Sequence, residues 1–285
     1  MFKIVDKMDL AAGVHRYVVE APEIARRARP GQFVILRLDA HGERIPITIA
    51  DSDPDRGTLT LYVQEVGKTT LQMSRLRTGD SILDLAGPLG KASVIEKRGT
   101  VVAVGGGFGI AALHPIVRAL TGAGNRTVAL IGARTADLVI LKDEMEAVST
   151  EIRVATQDGS MGKKGLVTDL LQDMLEQGEA VDQVFAIGPV AMMQATAGVT
   201  RPYEIPTVVS MNPIMMDGTG MCGACRVMVD GAMKFACVDG PEFDGHKVDF
   251  EALVNRLKIY KEEEREALEK YLRDLKQNCA VQSYL

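Results

Sequence analysis

Over the first 97 residues apolar and polar positions alternate in short runs: Val14–Glu20, Gln32–Leu38, Arg44–Ala50 and Thr58–Val66. Pro30-Gly31, Asp55-Arg56-Gly57 and Thr78-Gly79-Asp80 punctuate them. A period of two bounded by turn residues predicts half-buried strands, and such strands in series close most simply as an antiparallel barrel. From about residue 98 the pattern changes. Apolar runs ending in glycine alternate with helical stretches, beginning with Thr100–Val104, the turn Gly105–Gly109 and a helix opening at Ile110. That order is the strand–turn–helix unit of a parallel sheet. Residues 209–245 combine a glycine-rich loop, a hairpin-like run and a turn-rich exit. Beyond 245, Phe250, Leu253, Val254, Leu257 and Tyr260, then Leu268, Tyr271, Leu272 and Leu275, recur at helical spacing. Two amphipathic helices follow, with the charged run Lys261–Glu266 as a joint or a solvated face. The expected division is 1–97, 98–208, 209–245 and 246–285.

Composition narrows the function. The 285 residues carry 33 basic and 38 acidic side chains, a formal charge of -5, which provides no electrostatic footprint for nucleic acid or an anionic membrane. No uncharged apolar run approaches a bilayer span, and Met1–Asp9 is charged where a targeting segment would be apolar. The expectation is a cytoplasmic protein with neither nucleic-acid nor membrane partners. Four cysteines are too few for a disulfide scaffold in a chain of this length.

Three of those cysteines fall in one place. Asp217-Gly-Thr-Gly-Met-Cys222-Gly-Ala-Cys225, followed by Cys237, has the C-x4-C-x2-C…C spacing of a plant-type 2Fe-2S loop, with Asp217 in the first position. An ionised carboxylate can replace a thiolate as an anionic ligand, and Gly218, Gly220 and Gly223 let the backbone wrap a bound group. Cys-x-x-Cys with a later Cys also suits zinc, with Cys279 as the fourth ligand. The expected ligands are Asp217, Cys222, Cys225 and Cys237.

Two further patterns carry chemistry. Arg44, Pro46 and Thr48 share one strand face, because side chains two apart point the same way, and such a face suits a phosphate and a flat ring. Gly107-Phe-Gly109-Ile110-Ala-Ala112 satisfies G-x-G-x-x-A after an apolar run, which presents backbone N–H groups to phosphate. The next strand, Thr127–Thr135, ends without the acid of a dehydrogenase site. Gly107 is expected to be glycine because a cofactor approaches it closely. A strand ending in Gly188-Pro189 brings bare backbone to the carboxyl edge of the sheet. His114 reads as a packed helix residue.

Arg44-Ile-Pro46-Ile47-Thr48, then Gly67-Lys-Thr69-Thr70-Leu71, Ala86–Gly90, Gly105–Ile110, Ala155–Ser160 and Gly188–Met193 occur in the order found in the ferredoxin reductase superfamily, which the chain resembles. The resemblance implies a β + α/β fold: an antiparallel flavin-binding barrel, a parallel-sheet nucleotide-binding domain, a C-terminal 2Fe-2S loop and a helical tail. It implies that Arg44 and Thr48 hold FAD phosphates and that Gly67, Thr69 and Thr70 open a helix facing the pyrophosphate. Many members have an aromatic residue where this chain has Pro46. Tyr62 is the candidate stacking partner, unless it only covers a barrel end. Gly105, Gly107, Gly109, Ile110, Asp158, Gly188 and Pro189 would serve NAD(H) or NADP(H), with Arg134 at the adenosine end or merely solvating a loop. With Asp217 as first ligand, the chain resembles the small subunits of NADH-dependent ferredoxin:NADP+ oxidoreductases (sulfide dehydrogenases) more than the electron-transfer subunits of dihydroorotate dehydrogenase. The implied partner is a larger flavin and iron-sulfur subunit, through which ferredoxin is reached indirectly. Hydride transfer between stacked rings needs no side-chain acid or base, so no catalytic residue is expected.

Overall fold

The computed structural model describes residues 1–282, with side chains as far as Gln277; the Cys279 side chain lies outside the described residues. The first sheet is built from β1 (Phe2–Ala11), β2 (Val14–Glu20), β3 (Phe33–Arg37), β4 (Ile45–Asp53), β5 (Thr58–Gln64), β6 (Ser81–Ile82) and β7 (Asp84–Leu89). Helix α1 (Pro22–Ala25) follows β2 and α2 (Lys68–Ser74) follows β5. The strand order is β6-β1-β2-β5-β4-β3-β7, with every neighbouring pair antiparallel. Only Leu83 separates the two edge strands in sequence, so the sheet curls into a near-closed barrel. Tyr17, Leu36, Leu59, Leu61 and Met73 fill it, and Tyr17 Oη donates to the Met73 carbonyl at 2.7 Å, pinning α2 to the wall. Strand β1 is absent from the sequence reading because register shifts between Ile4 and Asp6 and between Asp9 and Ala11 break its period of two.

The second sheet comprises β8 (Thr100–Gly106), β9 (Arg126–Ala133), β10 (Glu151–Thr156), β11 (Lys163–Lys164), β12 (Gln183–Ile187) and β13 (Thr207–Ser210), all parallel. Between them run α3 (Gly109–Gly122), α4 (Lys142–Val148), α5 (Val167–Glu176) and α6 (Val190–Thr200). Alternation along β8 feeds both layers: Val101 and Ala103 pack with α3, whereas Val102 and Val104 pack with α5 and α6. The order β11-β10-β9-β8-β12-β13 reverses direction at β8, and at such a switch point a crevice opens beyond the strand ends.

Next comes a hairpin, β14 (Arg226–Val229) with β15 (Ala232–Phe235), then α7 (Ala236–Asp239) and β16 (Glu242–Asp244). The turn-rich exit of the sequence reading contains β16, which joins the second sheet antiparallel to β13. Helix α8 (Phe250–Arg256) is capped by Asp249, which accepts from Ala252 N at 2.9 Å. The charged run does not separate the helices. It forms the exposed start of α9 (Lys261–Gln282), where Glu262, Glu263 and Glu264 suit the positive helix end, and the joint falls at Leu257–Tyr260 instead. Helix α9 lies against α2. No helix among the described residues is long and apolar enough to cross a membrane.

Candidate functional site

Two cavities meet at the carboxyl edge of the parallel sheet. The first, about 410 Å³, lies between the barrel, the strand ends and the segment leading to the cysteines; Pro46, Thr48, Tyr62, Gly188, Met211 and Asn212 are among its lining. Strand alternation explains the barrel side. Pro46, Thr48 and Ala50 face the cavity while Ile47 and Ile49 pack into the barrel core. The second cavity, about 510 Å³, is lined by Gly107, Gly132, Arg134, Gln157, Leu166 and others beyond the ends of β8, β9 and β10. Gln64, Gly106, Phe108 and Pro189 line both. The two spaces therefore share a wall.

The glycines of the turn act in different ways. A Cβ on Gly109 would lie 2.2 Å from the Ile187 carbonyl oxygen, so only glycine lets α3 begin against the end of β12. At Gly107 no protein atom lies within 4 Å of an added Cβ, and φ of +53° reserves the position for glycine. Gly105 faces Ile110 and Leu113, and Ile110 is fully buried, so its side chain fastens α3 to the sheet. His114 is half-buried, and burial, with the Arg118 charge, holds its pKa below the usual value.

The other barrel positions gather apart from the cavity walls. Arg44 is exposed just before β4. Its neighbour Glu43 reaches the start of α2, accepting from Thr69 Oγ1 at 2.5 Å with Lys68 Nζ 3.5 Å away. Thr70 Oγ1 accepts from Val66 N and Gly67 N, each at 3.0 Å, and donates to the Gly67 carbonyl; this hydroxyl caps α2. Asp158 is exposed, and the Ser160 hydroxyl and backbone N–H hold its carboxyl below the usual range. Its neighbour Gln157, rather than Asp158, lines the second cavity. Arg134 is exposed at that cavity. Burial, then the nearby Glu144 carboxylate, raises the Tyr62 phenol pKa.

The β14–β15 hairpin brings the ends of its sequence together. Ala236 N donates to the Cys225 carbonyl at 3.0 Å, and the Cys225 and Cys237 sulfurs, both buried, are 3.1 Å apart. Gly218, Gly220 and Gly223 take φ of +76°, +83° and +68°, turning the loop before them. Within it Asp217 Oδ1 accepts from Thr219 N and Oδ2 from Cys222 N, both at 2.8 Å, and these bonds keep the carboxyl ionised. Cys222 is exposed. The donors thus fall into two pairs, Asp217 beside Cys222 and Cys225 beside Cys237. Among the described residues no three His, Cys, Asp or Glu side chains gather round one point as a single-ion cage requires. Paired donors fit a two-iron cluster, in which each iron takes two protein ligands.

Sequence reasoning missed Gln64, Gly106, Phe108, Met211 and Asn212 as cavity residues. Gln64 was accessible in principle, because it continues the Tyr62 face of β5 at a period of two.

A near-closed antiparallel barrel joined to a parallel sheet, with cavities along the seam, is a ferredoxin-reductase-like fold. Phthalate dioxygenase reductase shares it, with a TM-score of 0.57 at 15% identity over 80% of this chain and 85% of that one. Residues 103–198 match the oxidoreductase NAD-binding domain, and residues 212–249 match the iron-sulfur cluster binding domain of dihydroorotate dehydrogenase B. The latter match favours iron-sulfur over zinc. The chain belongs to the family of dihydroorotate dehydrogenase B electron transfer subunits and their homologues. It is 48% identical to the homolog from Thermotoga maritima over 95% of both chains, and 36% identical to the probable subunit from Methanopyrus kandleri over 78% of this chain and 81% of that one. The solved NADH-dependent reduced ferredoxin-NADP oxidoreductase, described for flavin-based electron bifurcation, contains a chain with a TM-score of 0.90 at 47% identity, covering 95% of this chain and 98% of its own.

Proposed function

We propose that this chain takes hydride from NADH or NADPH onto FAD and passes electrons through a 2Fe-2S cluster to a larger flavin and iron-sulfur subunit. The shared wall of the two cavities carries the reading, because the cysteine-bearing segment closes the first cavity on its far side through Met211, Asn212 and Met215. When bound, FAD supplies hydride acceptance and single-electron release, and the cluster carries electrons one at a time. The protein's own work is placement. Pro46, Thr48 and Tyr62 shape the flat part of the first cavity, while Arg44 before β4 and Gly67 and Thr69 at the start of α2 are assigned to the phosphates, with Thr70 holding the turn and Ile47 the strand. Gly105, Gly107 and Gly109 set the backbone of the nucleotide turn over Ile110, Gly188 and Pro189 leave room between the cavities, and Arg134 and Asp158 flank the adenosine end. Asp217, Cys222, Cys225 and Cys237 are the cluster ligands. The segments 1–97, 98–208, 209–245 and 246–285 are then barrel, nucleotide domain, cluster segment and tail.

The similarity to a ferredoxin-NADP oxidoreductase chain supports ferredoxin as a substrate reached through the larger subunit, in the cytoplasm. The relatives named for dihydroorotate dehydrogenase B support a second reading, with a dihydroorotate-oxidising partner. Asp217 in place of the Cys expected in those subunits favours the first. Protein purified without oxygen should contain FAD, iron and acid-labile sulfide, and NADH or NADPH should bleach its visible spectrum. A colourless, zinc-containing protein refutes the proposal. Co-purification on an untagged native partner separates the two readings.

A further inference from the structure

Gln64 closes β5 at the place where the cavities join. Alternation sends Leu61 and Val63 into the barrel, both fully buried, and turns Tyr62 and Gln64 to the opposite face. Of the residues common to both walls, Gly106, Phe108 and Pro189 have no hydrogen-bonding side chain, so Gln64 alone presents one. The side-chain hydrogen bonds nearby run through Glu65, held by His15 at 2.7 Å, and through Thr70. None among the described residues uses the Gln64 amide. Val14, paired with Gln64 across the sheet, is apolar and lines the second cavity, so it offers the amide no competing partner.

A half-buried primary amide, with donor and acceptor both free in an otherwise apolar junction, is complementary to another primary amide. The two can exchange a pair of N–H···O bonds in one plane. Resting on the proposed hydride transfer from a nicotinamide dinucleotide, we infer that Gln64 binds the carboxamide of the nicotinamide ring at the mouth between the cavities and so fixes the orientation in which the ring meets the first cavity. A site that hydrogen-bonds a substrate amide discriminates against analogues lacking the donor, because its own buried polar group is then left unpaired.

The test is equilibrium binding to the oxidised, flavin-loaded protein, read by calorimetry with NAD+ and with its 3-acetylpyridine analogue, which keeps the carbonyl but lacks the N–H donor. The wild-type protein is expected to prefer NAD+ by about tenfold. Gln64→Leu should weaken NAD+ binding by about tenfold and bring the two ligands to within about twofold of each other. Gln64→Glu, which keeps the acceptor for the carboxamide N–H but loses the donor to the ligand carbonyl, should keep or widen the preference for NAD+ that Gln64→Leu abolishes. Flavin content and visible spectrum report whether each variant is intact. Unchanged NAD+ affinity and preference in an intact Gln64→Leu protein, or a preference lost in Gln64→Glu, overturns the inference while leaving the proposed function standing. Flavin lost from both variants also overturns it, since the amide would then serve the flavin. Absence of NAD+, NADP+ and analogue binding in the wild-type protein refutes the functional reading itself.

Discussion

Arg118 on α3 grips Asp51 on β4 with two hydrogen bonds, Nη1 to Oδ2 at 3.1 Å and Nη2 to Oδ1 at 2.5 Å. The helix that follows the glycine turn is thereby tied to the strand that supplies Pro46 and Thr48. Burial pushes the Asp51 pKa up, but the Arg118 hydrogen bond and charge outweigh it and hold the carboxyl below its usual value. Both side chains are nearly half exposed, so the pair contributes only about 0.2–1 kcal/mol to stability. Its larger effect should be on alignment. Arg118→Ala should slow flavin reduction by NADH several-fold in stopped flow with little change in Tm, and Asp51→Asn combined with it should add little. Since the Asp51 pKa is depressed on folding, the small stabilising contribution is present above pH 3.8 and fades as pH falls through the lower folded value. Equal reduction rates in variant and wild type would show that the pair does not set alignment.

Gly109→Ala and Gly107→Ala should differ in severity. The new Cβ at 109 meets backbone at both Ile187 and Gly188, neither of which can rotate away, so α3 must shift; a cost of about 1–3 kcal/mol is expected in urea unfolding. At 107 only the left-handed backbone is strained, at about 1–2 kcal/mol, and nothing is displaced. NAD+ binding should therefore suffer more at 109. Equal binding losses would refute the packing role.

Asp217 has two tasks, ligand and loop cap, and they can be separated. Asp217→Ala removes both and should lose iron during gel filtration. Asp217→Cys should keep the cluster with altered absorption and potential, because ligand identity helps set both. Asp217→Asn retains an acceptor for one loop N–H without the anionic charge, and should hold iron less well than the wild type. Cys279→Ser should leave iron content and spectrum unchanged. Full iron retention by Asp217→Ala would remove the residue from the ligand set.

Glu242 on β16 gives the protein a pH-dependent stability. Burial pushes its carboxyl up to about 7 against a hydrogen bond from Ser93 Oγ at 2.5 Å, which acts the other way. The folded state therefore favours the protonated form. This contribution is complete below pH 4.5, declines as pH rises, and is gone once the folded pKa near 7 is passed. Glu242→Gln should remove the slope and be more stable than wild type at pH 8, by on the order of 1–3 kcal/mol. Parallel Tm profiles for the two proteins between pH 5 and roughly 8 would contradict this.

The features readable from the sequence were those that backbone geometry dictates. Period-two alternation marks β2 to β5 because one face of each is buried, and the glycine turn stands out because Gly109 meets backbone and Gly107 takes a left-handed φ. Strand β16 was hidden because three residues, Glu242–Asp244, between turn residues carry no period, and it exists only through pairing with β13. The shared cavity wall was equally invisible, since Gln64 and Phe108 acquire their role only when barrel and sheet meet. At the end of β10 the resemblance implies a nucleotide-binding role for Asp158. The turn directs that carboxylate to Ser160 and sets Gln157 beside the cavity, a placement no pattern in the sequence carries.

The pairing of Val209 with Phe243 and of Ser210 with Glu242 means that the cysteine segment leaves the second sheet and re-enters it through adjacent strands. Its doorway is about 5 Å wide, the spacing of neighbouring strands. The segment is thus a closed insertion and not a tethered appendage that swings between donor and acceptor. Under the proposed function, electron delivery then requires the acceptor to dock at a fixed point on this protein's surface. Anyone exchanging the redox centre for another must graft a module whose two ends already lie side by side, because one fused as a tail would leave β13 without its edge partner.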